Sequence, residues 1–275
     1  MIGAIIGDIV GSRFEWNNHR SKDFDLLPHS CFFTDDSVMS LAICDAFIRI
    51  NNDFSNLSEQ VVKSMQSIGR HYPDSGYGGA FYKWVFSDNP QPYNSYGNGA
   101  AMRVSSCAYV ANSLEEVKEL SNAVTKVSHN HPEGLKGAEA VAVAVFLART
   151  GYSLIEIQDF IRKNYYQNVF TIDSIRETYT FNETCQDTVP QALEAFFESI
   201  SFEDAIRNAV SIGGDSDTIA AITGAIAEAY YGVPASIRKL ALTFLDERLL
   251  KILVEFENKY QTKTEMLHED VSVSI

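Results

Sequence analysis

Apolar residues recur at spacings of three and four along most of the chain, which is the period of an α-helix. One helix face between Asp36 and Ile50 is formed by Val38, Leu41, Ala42, Asp45 and Ile48. The segment from Glu133 to Thr150 is rich in Ala, Val and Leu, and it predicts a buried helix that stops before Gly151. The same pattern predicts further helices at about 58–71, 101–111, 114–128, 153–163, 189–199, 202–211, 215–231 and 243–260.

Strand signals are weak, because alternation of apolar and polar residues never holds for long outside the C-terminal tail. The stretch from Tyr72 to Gly99 is rich in Gly, Pro, Asn, Asp and Ser, and we interpret it as a long functional loop. No repeat, linker or low-complexity segment divides the chain. The sequence therefore predicts an all-α fold, with one compact helical domain over residues 1–261 and a flexible tail at 262–275.

The composition is that of an ordinary globular protein: 275 residues, of which 45% are hydrophobic and 21% charged. A net charge of -14 and the lack of any basic run disfavour binding to the nucleic-acid backbone, which relies on Lys and Arg. The four cysteines form no C-x-x-C pair, and the sequence shows neither a signal-peptide pattern nor a membrane-spanning apolar run. We expect a cytoplasmic protein with reduced cysteines and no membrane contact.

Two acidic segments each stand directly before a predicted helix, TDDS at 34–37 and GGDSDT at 213–218. Asp, Ser and Thr are favoured at helix starts, so capping alone explains either segment by itself. Together the two segments indicate a function beyond capping. One cap needs only one acceptor, and adjacent carboxylates repel each other unless a cation lies between them. Carboxylate and hydroxyl oxygens suit Mg²⁺ or Mn²⁺, and no Cys/His pattern favours zinc.

Helix geometry limits which of these groups converge. Residues three apart share a helix face, so Asp215 and Thr218 converge, whereas Asp217 joins them only if Asp215 and Ser216 lie outside the helix. Gly213 and Gly214 provide the backbone freedom for such an entry. The ligand count suits one metal or two, and the pattern leaves both open.

Two further segments carry residues whose types suit ligand binding. GNGAAMR at 97–103 ends the long loop, and its small residues and free N–H groups suit a phosphate, although a tight loop-to-helix junction explains it as well. His129 and His131 lie between two predicted helices. These histidines either cap a helix that begins at Pro132 or bind a metal, and the sequence leaves both interpretations open.

The N-terminal segment combines small residues with isolated acids. Gly3, Gly7 and Gly11 are four residues apart, so another helix can pack closely along that face. Asp8 stands among apolar residues and needs a partner if it is buried. Glu15 follows where it can reach a site, while simple solvation of both acids is the alternative.

These segments, in this order, resemble the ADP-ribosylglycohydrolase family, which includes the dinitrogenase reductase-activating glycohydrolases and the ADP-ribosyl-acceptor hydrolases. The similarity runs from residue 7 to residue 231, and its most specific parts are TDD at 34–36 and GDSDT at 214–218. Family members often carry Thr where Ser37 and Ser216 stand, and Ser retains the hydroxyl group of Thr. The resemblance implies an all-α fold with two divalent metal ions, Mg²⁺ or Mn²⁺.

The resemblance also implies a role for each matching residue. The implied metal ligands are Thr34, Asp35, Asp36, Asp215, Asp217 and Thr218. The implied substrate-binding residues are Asp8, Gly97, Asn98, Gly99, Ala100, Met102 and His129. The implied catalytic residues are Glu15, Asp35 and Asp36.

The implied function is metal-dependent hydrolysis at the anomeric carbon of the distal ribose, which releases ADP-ribose from an ADP-ribosylated protein or small molecule. The acceptor stays open among arginine, serine, a nucleobase, acetate and other small molecules. A nucleotide-sugar transferase is disfavoured, because its D-x-D motif normally ends a strand. A purely structural role, as in crystallin relatives with eroded motifs, conflicts with the intact Asp segments. A non-catalytic ADP-ribose-binding module remains the alternative.

Overall fold

Helices make up the regular structure of the chain. The computed structural model describes residues 1–50, 52–167 and 169–261, and in these ranges we find fourteen α-helices and no β-strand. An isolated antiparallel bridge joins Gly97 to Thr184. The all-α, single-domain prediction is therefore confirmed, while the tail predicted at 262–275 lies outside the described residues. No helix in the described part of the chain is long and apolar enough to cross a bilayer.

The elements follow one another without a break into separate units. The α-helices are α1 Ile2–Gly11, α2 Asp35–Ile50, α3 Leu57–Gly69, α4 Gly79–Phe86, α5 Ser105–Val110, α6 Leu114–Thr125, α7 Pro132–Arg149, α8 Leu154–Asn164, α9 Ile172–Ile175, α10 Cys185–Phe197, α11 Phe202–Ser211, α12 Ser216–Tyr231, α13 Ala235–Ala241 and α14 Glu247–Tyr260. Short 3-10 turns lie at Phe54–Asn56, Asn98–Ala100 and Leu242–Phe244.

The prediction of a loop from Tyr72 to Gly99 is wrong for the middle of this segment, which forms α4. This helix is only two turns long, and Phe81, Trp84 and Val85 bury its apolar face. Because glycines and prolines flank this short helix, the sequence has too few consecutive positions for a helical period to be recognised.

Three other predicted helices have different limits. The helix expected at 101–111 begins only at Ser105, after the 3-10 turn. The helix expected at 189–199 begins four residues earlier, at Cys185, so Pro190 lies inside it. The one expected at 243–260 is α14 alone, preceded by α13 and a 3-10 turn that the pattern does not reveal.

The start of α7 follows the sequence signals. Pro132 occupies its first turn, where the missing N–H is not needed. The His131 ring accepts a hydrogen bond from the Glu133 N–H at 3.1 Å. The capping interpretation of His131 is therefore confirmed.

Helix α12 lies at the centre of the fold, packed against α1, α7, α10 and α11. The first helix, α1, is buried along its whole length. The two run antiparallel, because Gly3 lies against Gly224, Gly7 against Ala220 and Gly11 against Ser216. A methyl group added at any of the three glycines of α1 would overlap the backbone of α12. Close packing along this glycine face, which the sequence predicts, is confirmed.

Gly7→Ala tests the α1–α12 contact. The added methyl would overlap the Ala220 carbonyl, and neither backbone can yield without moving a helix. We expect a loss of about 1–3 kcal/mol in the free energy of unfolding, or roughly 5 °C in Tm. Gly79→Ala is the matched control, since a Cβ there has no neighbour within 4 Å. An unchanged Tm for Gly7→Ala would refute this account of the contact.

Candidate active site

A cavity of about 450 Å³ opens beside the N-terminal ends of α2 and α12. Its walls come from the residues after α1, the approach to α2, the loops on both sides of α4, and the turn before α12. The long loop predicted to be functional therefore supplies much of the wall. Both acidic segments face this one cavity, although about 180 residues separate them in the chain.

Asp8 fixes the turn that carries the first acidic segment. It projects from α1, is fully buried, and accepts hydrogen bonds from the Thr34 N–H at 2.9 Å and the Thr34 hydroxyl at 2.7 Å. The Ser37 N–H, at 3.0 Å, and the Ser37 hydroxyl also donate to it. These donors satisfy an acid that would otherwise be costly to bury. Asp8 thereby ties the start of α2 to α1.

The two acidic segments meet at Asp36. The Thr218 hydroxyl, in the first turn of α12, donates to Asp36 Oδ2 at 3.1 Å. The other carboxyl oxygen, Asp36 Oδ1, is buried and has no hydrogen-bond partner among the described residues. A buried carboxyl oxygen without a partner is rare in proteins, and a cation is a partner that it suits.

The glycine turn before α12 brings the second segment to Glu15. Gly213 and Gly214 have φ angles of 73° and 74°, a region open to glycine at no steric cost. The Gly214 N–H donates to Asn18 Oδ1 at 2.8 Å. The Asn18 amide in turn donates to the carbonyls of Glu15 and Gly214, at 2.9 and 3.2 Å. Asn18 thus holds the loop after α1 against this turn.

Three carboxylates converge as a result. One ligand oxygen each from Glu15, Asp215 and Asp217 lies within 4.8 Å of the others. From the sequence, Asp217 is expected to join Asp215 only if both Asp215 and Ser216 lie outside the helix. This is true of Asp215, which precedes α12, but not of Ser216, which is the first residue of α12. Glu15, which the sequence suggests as a catalytic residue, also stands among the candidate metal ligands.

The electrostatics of the cluster are unfavourable without a cation. Burial, followed by repulsion from Asp217 and Asp8, raises the pKa of Asp35 and of Asp36 well above the ordinary value. Burial and the neighbouring Asp215 do the same to the pKa of Asp217. Burial and then Asp217 raise the pKa of Glu15 to about 7, and burial raises that of Asp215 to about 6.

These residues fit a hard divalent cation. The possible ligand atoms are carboxylate and hydroxyl oxygens, and one oxygen of Asp36 has no hydrogen-bond partner among the described residues. A positive ion would offset the mutual repulsion of the cluster and favour the ionised carboxylates. Mg²⁺ and Mn²⁺ both prefer this kind of ligand.

The 97–103 segment forms another wall of the cavity. Asn98 donates from its amide to Asp215 Oδ2 at 2.7 Å and to the Thr188 hydroxyl at 3.1 Å, so it links this wall to the acidic cluster. A Cβ at Gly97 or Gly99 would make an ordinary contact with His129 Nε2, at 3.6 and 3.5 Å. The free N–H groups expected here are largely occupied, because the Gly97 N–H donates to Ser95 Oγ at 3.1 Å and the Asn98 N–H to the Glu183 carbonyl at 2.7 Å.

A buried cation lies below this wall. The Arg103 guanidinium is fully buried, donates to the Ser128 hydroxyl at 2.8 Å, and lies 5.5 Å from the centre of the Phe81 ring. Its Nε and Nη1 atoms have no hydrogen-bond partner within the described part of the chain. Burial and the positive charge of Arg103 lower the pKa of His129 well below its ordinary value, so the imidazole is neutral. A positive charge is thus held at the end of the 97–103 segment.

The structure brings most of the sequence-predicted site residues to the cavity wall, where they are Glu15, Thr34, Asp35, Asp36, Gly97, Asn98, Gly99, Met102, His129, Asp215, Asp217 and Thr218. Two of them lie elsewhere. Asp8 and Ala100 are fully buried behind the wall, so the geometry gives Asp8 a positioning role. Direct substrate binding by either residue stays a prediction.

Several residues of the site escape sequence reasoning. Asn18 acts through contacts with residues distant in the chain, and no local pattern identifies it. Arg103 ends the 97–103 segment that the sequence singles out, but its burial and its contact with Ser128 are not predicted from sequence. Trp16 and Phe181 line the cavity and stack on each other, with ring centroids 5.0 Å apart and planes at 24°. The only available signal was the position of Trp16, directly after Glu15.

Comparisons with known proteins give matches to a family model and to individual proteins. Residues 1–264 match the sequence model of the family described as ADP-ribosylglycohydrolase. The chain is 25% identical to ADP-ribosylhydrolase ARH3 of Xenopus tropicalis, over 84% of this chain and 86% of that protein. It is also 25% identical to ADP-ribosylarginine hydrolase Tri1 of Pseudomonas putida, over 88% of this chain and 73% of that protein.

A solved structure shares the fold. It is described as an ADP-ribosylglycohydrolase-related protein complex, and it superposes with a TM-score of 0.69 at 21% identity. The superposition covers 94% of this chain and 95% of that chain.

Asp36→Asn tests whether a cation is the missing partner of the cluster. Removing one negative charge relieves repulsion, so we expect the variant to have a higher Tm than the wild type in EDTA. With Mn²⁺ at about 100 times its Kd, the wild type should gain about 2.7 kcal/mol of stability, and the variant much less. Differential scanning calorimetry measures both. Equal metal-induced shifts in the two proteins would exclude Asp36 as a ligand.

The pH dependence of stability tests the raised pKa values. In the metal-free protein Glu15, with a pKa of about 7, and Asp215, with a pKa of about 6, bind protons at a higher pH than in the unfolded chain. Their contribution is therefore present at low pH and is lost as pH rises through these values. We expect a lower Tm at pH 8 than at pH 5.5 in EDTA. The double variant Glu15→Gln, Asp215→Asn should flatten this slope, and a wild-type Tm that rises with pH would contradict it.

Proposed function

The chain belongs to the ADP-ribosylglycohydrolase family, and we propose that it is a metal-dependent hydrolase that releases ADP-ribose from an ADP-ribosylated acceptor. The reaction breaks the bond between the anomeric carbon of the distal ribose and the acceptor atom. Water supplies a hydroxyl group to the carbon and a proton to the acceptor.

One observation carries the proposal: the two Asp segments and Glu15 converge on one cavity, with a buried oxygen of Asp36 left without a partner. Helix capping alone accounts for neither feature, since capping needs no contact between the two segments. The residues that would hold Mg²⁺ or Mn²⁺ are Thr34, Asp35, Asp36, Asp215, Asp217 and Thr218, with Glu15 beside them. When bound, such ions supply positive charge for the ribose hydroxyls and lower the pKa of water.

Glu15 suits the proton transfer. Its half-buried carboxylate lines the cavity beside Asp215 and Asp217, where it can exchange a proton with a water molecule or a leaving group. Asn18 holds its backbone, and the Trp16 side chain donates a hydrogen bond to its carboxylate. Glu15 therefore serves as the general base toward water, or as the acid toward the leaving group.

The wall at 97–103 suits the anionic part of ADP-ribose. A diphosphate is repelled by a chain with a net charge of -14 unless local positive charge compensates. The buried guanidinium of Arg103 supplies such charge without a carboxylate partner of its own. Gly97 and Gly99 line the same cavity, and their lack of side chains leaves room for phosphate oxygens.

Release of ADP-ribose is the direct test. We expect the purified protein to release ADP-ribose from at least one ADP-ribosylated substrate only when Mg²⁺ or Mn²⁺ is present. The double variant Asp35→Ala, Asp36→Ala should abolish the metal-dependent rate. Glu15→Gln should lower kcat by roughly 100-fold or more, as loss of a general acid–base does. Product is measured by chromatography.

Glu59→Gln is the control, because Glu59 is exposed, pairs with Lys63 and is not part of the cavity lining. Glu15→Gln with full activity would remove Glu15 from the chemistry. Metal-dependent binding of ADP-ribose by calorimetry, with no release from any substrate, would identify a binding module instead.

A further inference from the structure

The segment that carries Glu15 has little backbone structure of its own. No backbone–backbone hydrogen bond in the described chain involves residues 15–20. Trp16 is 79% exposed, and Asn17 and Asn18 after it are exposed as well. Segments with few backbone hydrogen bonds and little burial have low local stability. The position of Glu15 therefore depends on side-chain contacts.

The Asn18 side chain supplies such contacts, all of them with backbone groups. Its amide donates to the carbonyls of Phe14, Glu15 and Gly214 at 3.0, 2.9 and 3.2 Å. Because an amide has two N–H groups, one of them is shared between two of these carbonyls. The Oδ1 atom of Asn18 accepts from the Gly214 N–H at 2.8 Å. Two bonds thus go to the Glu15 segment and two go to Gly214, so the side chain joins the two.

Gly214 belongs to a turn that is held on both sides. A Cβ at Gly214 would lie 2.3 Å from Cε1 of Tyr179, so this ring packs directly on the turn. A Cβ at Gly213 would lie 2.8 Å from Oδ1 of Asn18 on the other side. The turn leads into Asp215 and then into α12, the central helix. Asn18 is therefore bonded to a firmly held part of the site.

Arg20 makes a second link between the same parts of the chain. Its guanidinium donates to the Ile212 carbonyl at 2.7 Å and to the Tyr179 carbonyl at 2.6 Å. This link anchors the segment five residues after Glu15. Among the described side chains, Asn18 is the one that bonds to the backbone of Glu15 itself.

We propose that Asn18 is a positioning residue, which ties the Glu15 backbone to Gly214 and so holds the Glu15 carboxylate beside Asp215 and Asp217. The assignment rests on the proposed function, in which Glu15 transfers the proton. Asn18 is not part of the cavity lining, so it acts through Glu15 and not by touching the substrate. Without the link, Glu15 leaves the position in which proton transfer is fastest, and a misplacement of about 1 Å can cost roughly 100-fold in rate.

A double-mutant cycle tests whether Asn18 acts through Glu15. The assay uses saturating Mg²⁺ and the ADP-ribosylated substrate that the wild type hydrolyses fastest. We expect Asn18→Ala to lower kcat about tenfold and to change KM by less than about twofold. In a Glu15→Gln background the same change should lower kcat by less than about twofold, because no carboxylate is left to position. Equal fold losses in the two backgrounds would overturn the proposal, since Asn18 would then act independently of Glu15.

The isosteric variant Asn18→Asp tests the hydrogen bonds themselves. It keeps the size of the side chain and an oxygen that can accept from the Gly214 N–H, but it replaces the donor by an oxygen that faces three carbonyls. We expect about the same loss of kcat as in Asn18→Ala. A wild-type kcat in Asn18→Asp would contradict the proposal, because the amide donor would then be dispensable.

Asn164→Ala is the matched control. The amide of Asn164 also donates to the carbonyl four residues earlier, that of Phe160, at 2.7 Å. Asn164 is exposed and is not part of the cavity lining. Its replacement should leave kcat and KM unchanged.

Trp16 reports on the Glu15 segment without any turnover. The chain has two tryptophans, and the other, Trp84, is buried and donates from its indole to the Val127 carbonyl at 3.1 Å. Nanosecond motion in the decay of tryptophan fluorescence anisotropy therefore comes mainly from Trp16. We expect a larger amplitude of this motion in Asn18→Ala than in the wild type, at a temperature at which circular dichroism shows both proteins folded.

An unchanged anisotropy decay in Asn18→Ala would overturn the proposal and leave the proposed function standing. A wild type that releases no ADP-ribose would overturn the proposed function. Greater motion of Trp16 in Asn18→Ala would in that case still support the link between Asn18 and the Glu15 segment.

Discussion

The close antiparallel contact between α1 and α12 is the constraint on which the site depends. Gly7 lets the two backbones touch, and Asp8 follows it on the same helix. From there its carboxylate holds Thr34 and Ser37 at the start of α2. One helix pair thus brings the two acidic segments into a single cavity.

This arrangement places carboxylates that repel one another at the centre of the fold. Asp36 and Asp217 are buried among like charges, and burial raises the pKa of each. Natural proteins tolerate such a cluster where function requires it, because binding of a cation recovers the lost stability. The buried Asp8, with its four donors, shows the other solution: an acid that serves structure is satisfied by the protein itself.

The cavity has distinct regions with different chemistry. The acidic cluster, anchored on helix termini, lies beside the 97–103 wall with Arg103 beneath it, and Asn98 joins the two. The mouth is built from loops around Trp16 and Phe181. Loops accept sequence change at lower cost than packed helices do. The mouth can therefore change in sequence without disturbing the acidic cluster.

The sequence by itself determined the helical class, the glycine face of α1 and the two Asp segments with their helix starts, because these depend on local spacing and capping. It also fixed Pro132 as the start of α7. Only the tertiary structure decided that Asn18 joins Glu15 to the glycine turn, that Arg103 is buried without a carboxylate, and that Trp16 meets Phe181. It also revealed α4, whose two turns are too short to establish a period. These features depend on contacts between residues far apart in the chain, and local patterns carry no information about which distant partner a side chain meets.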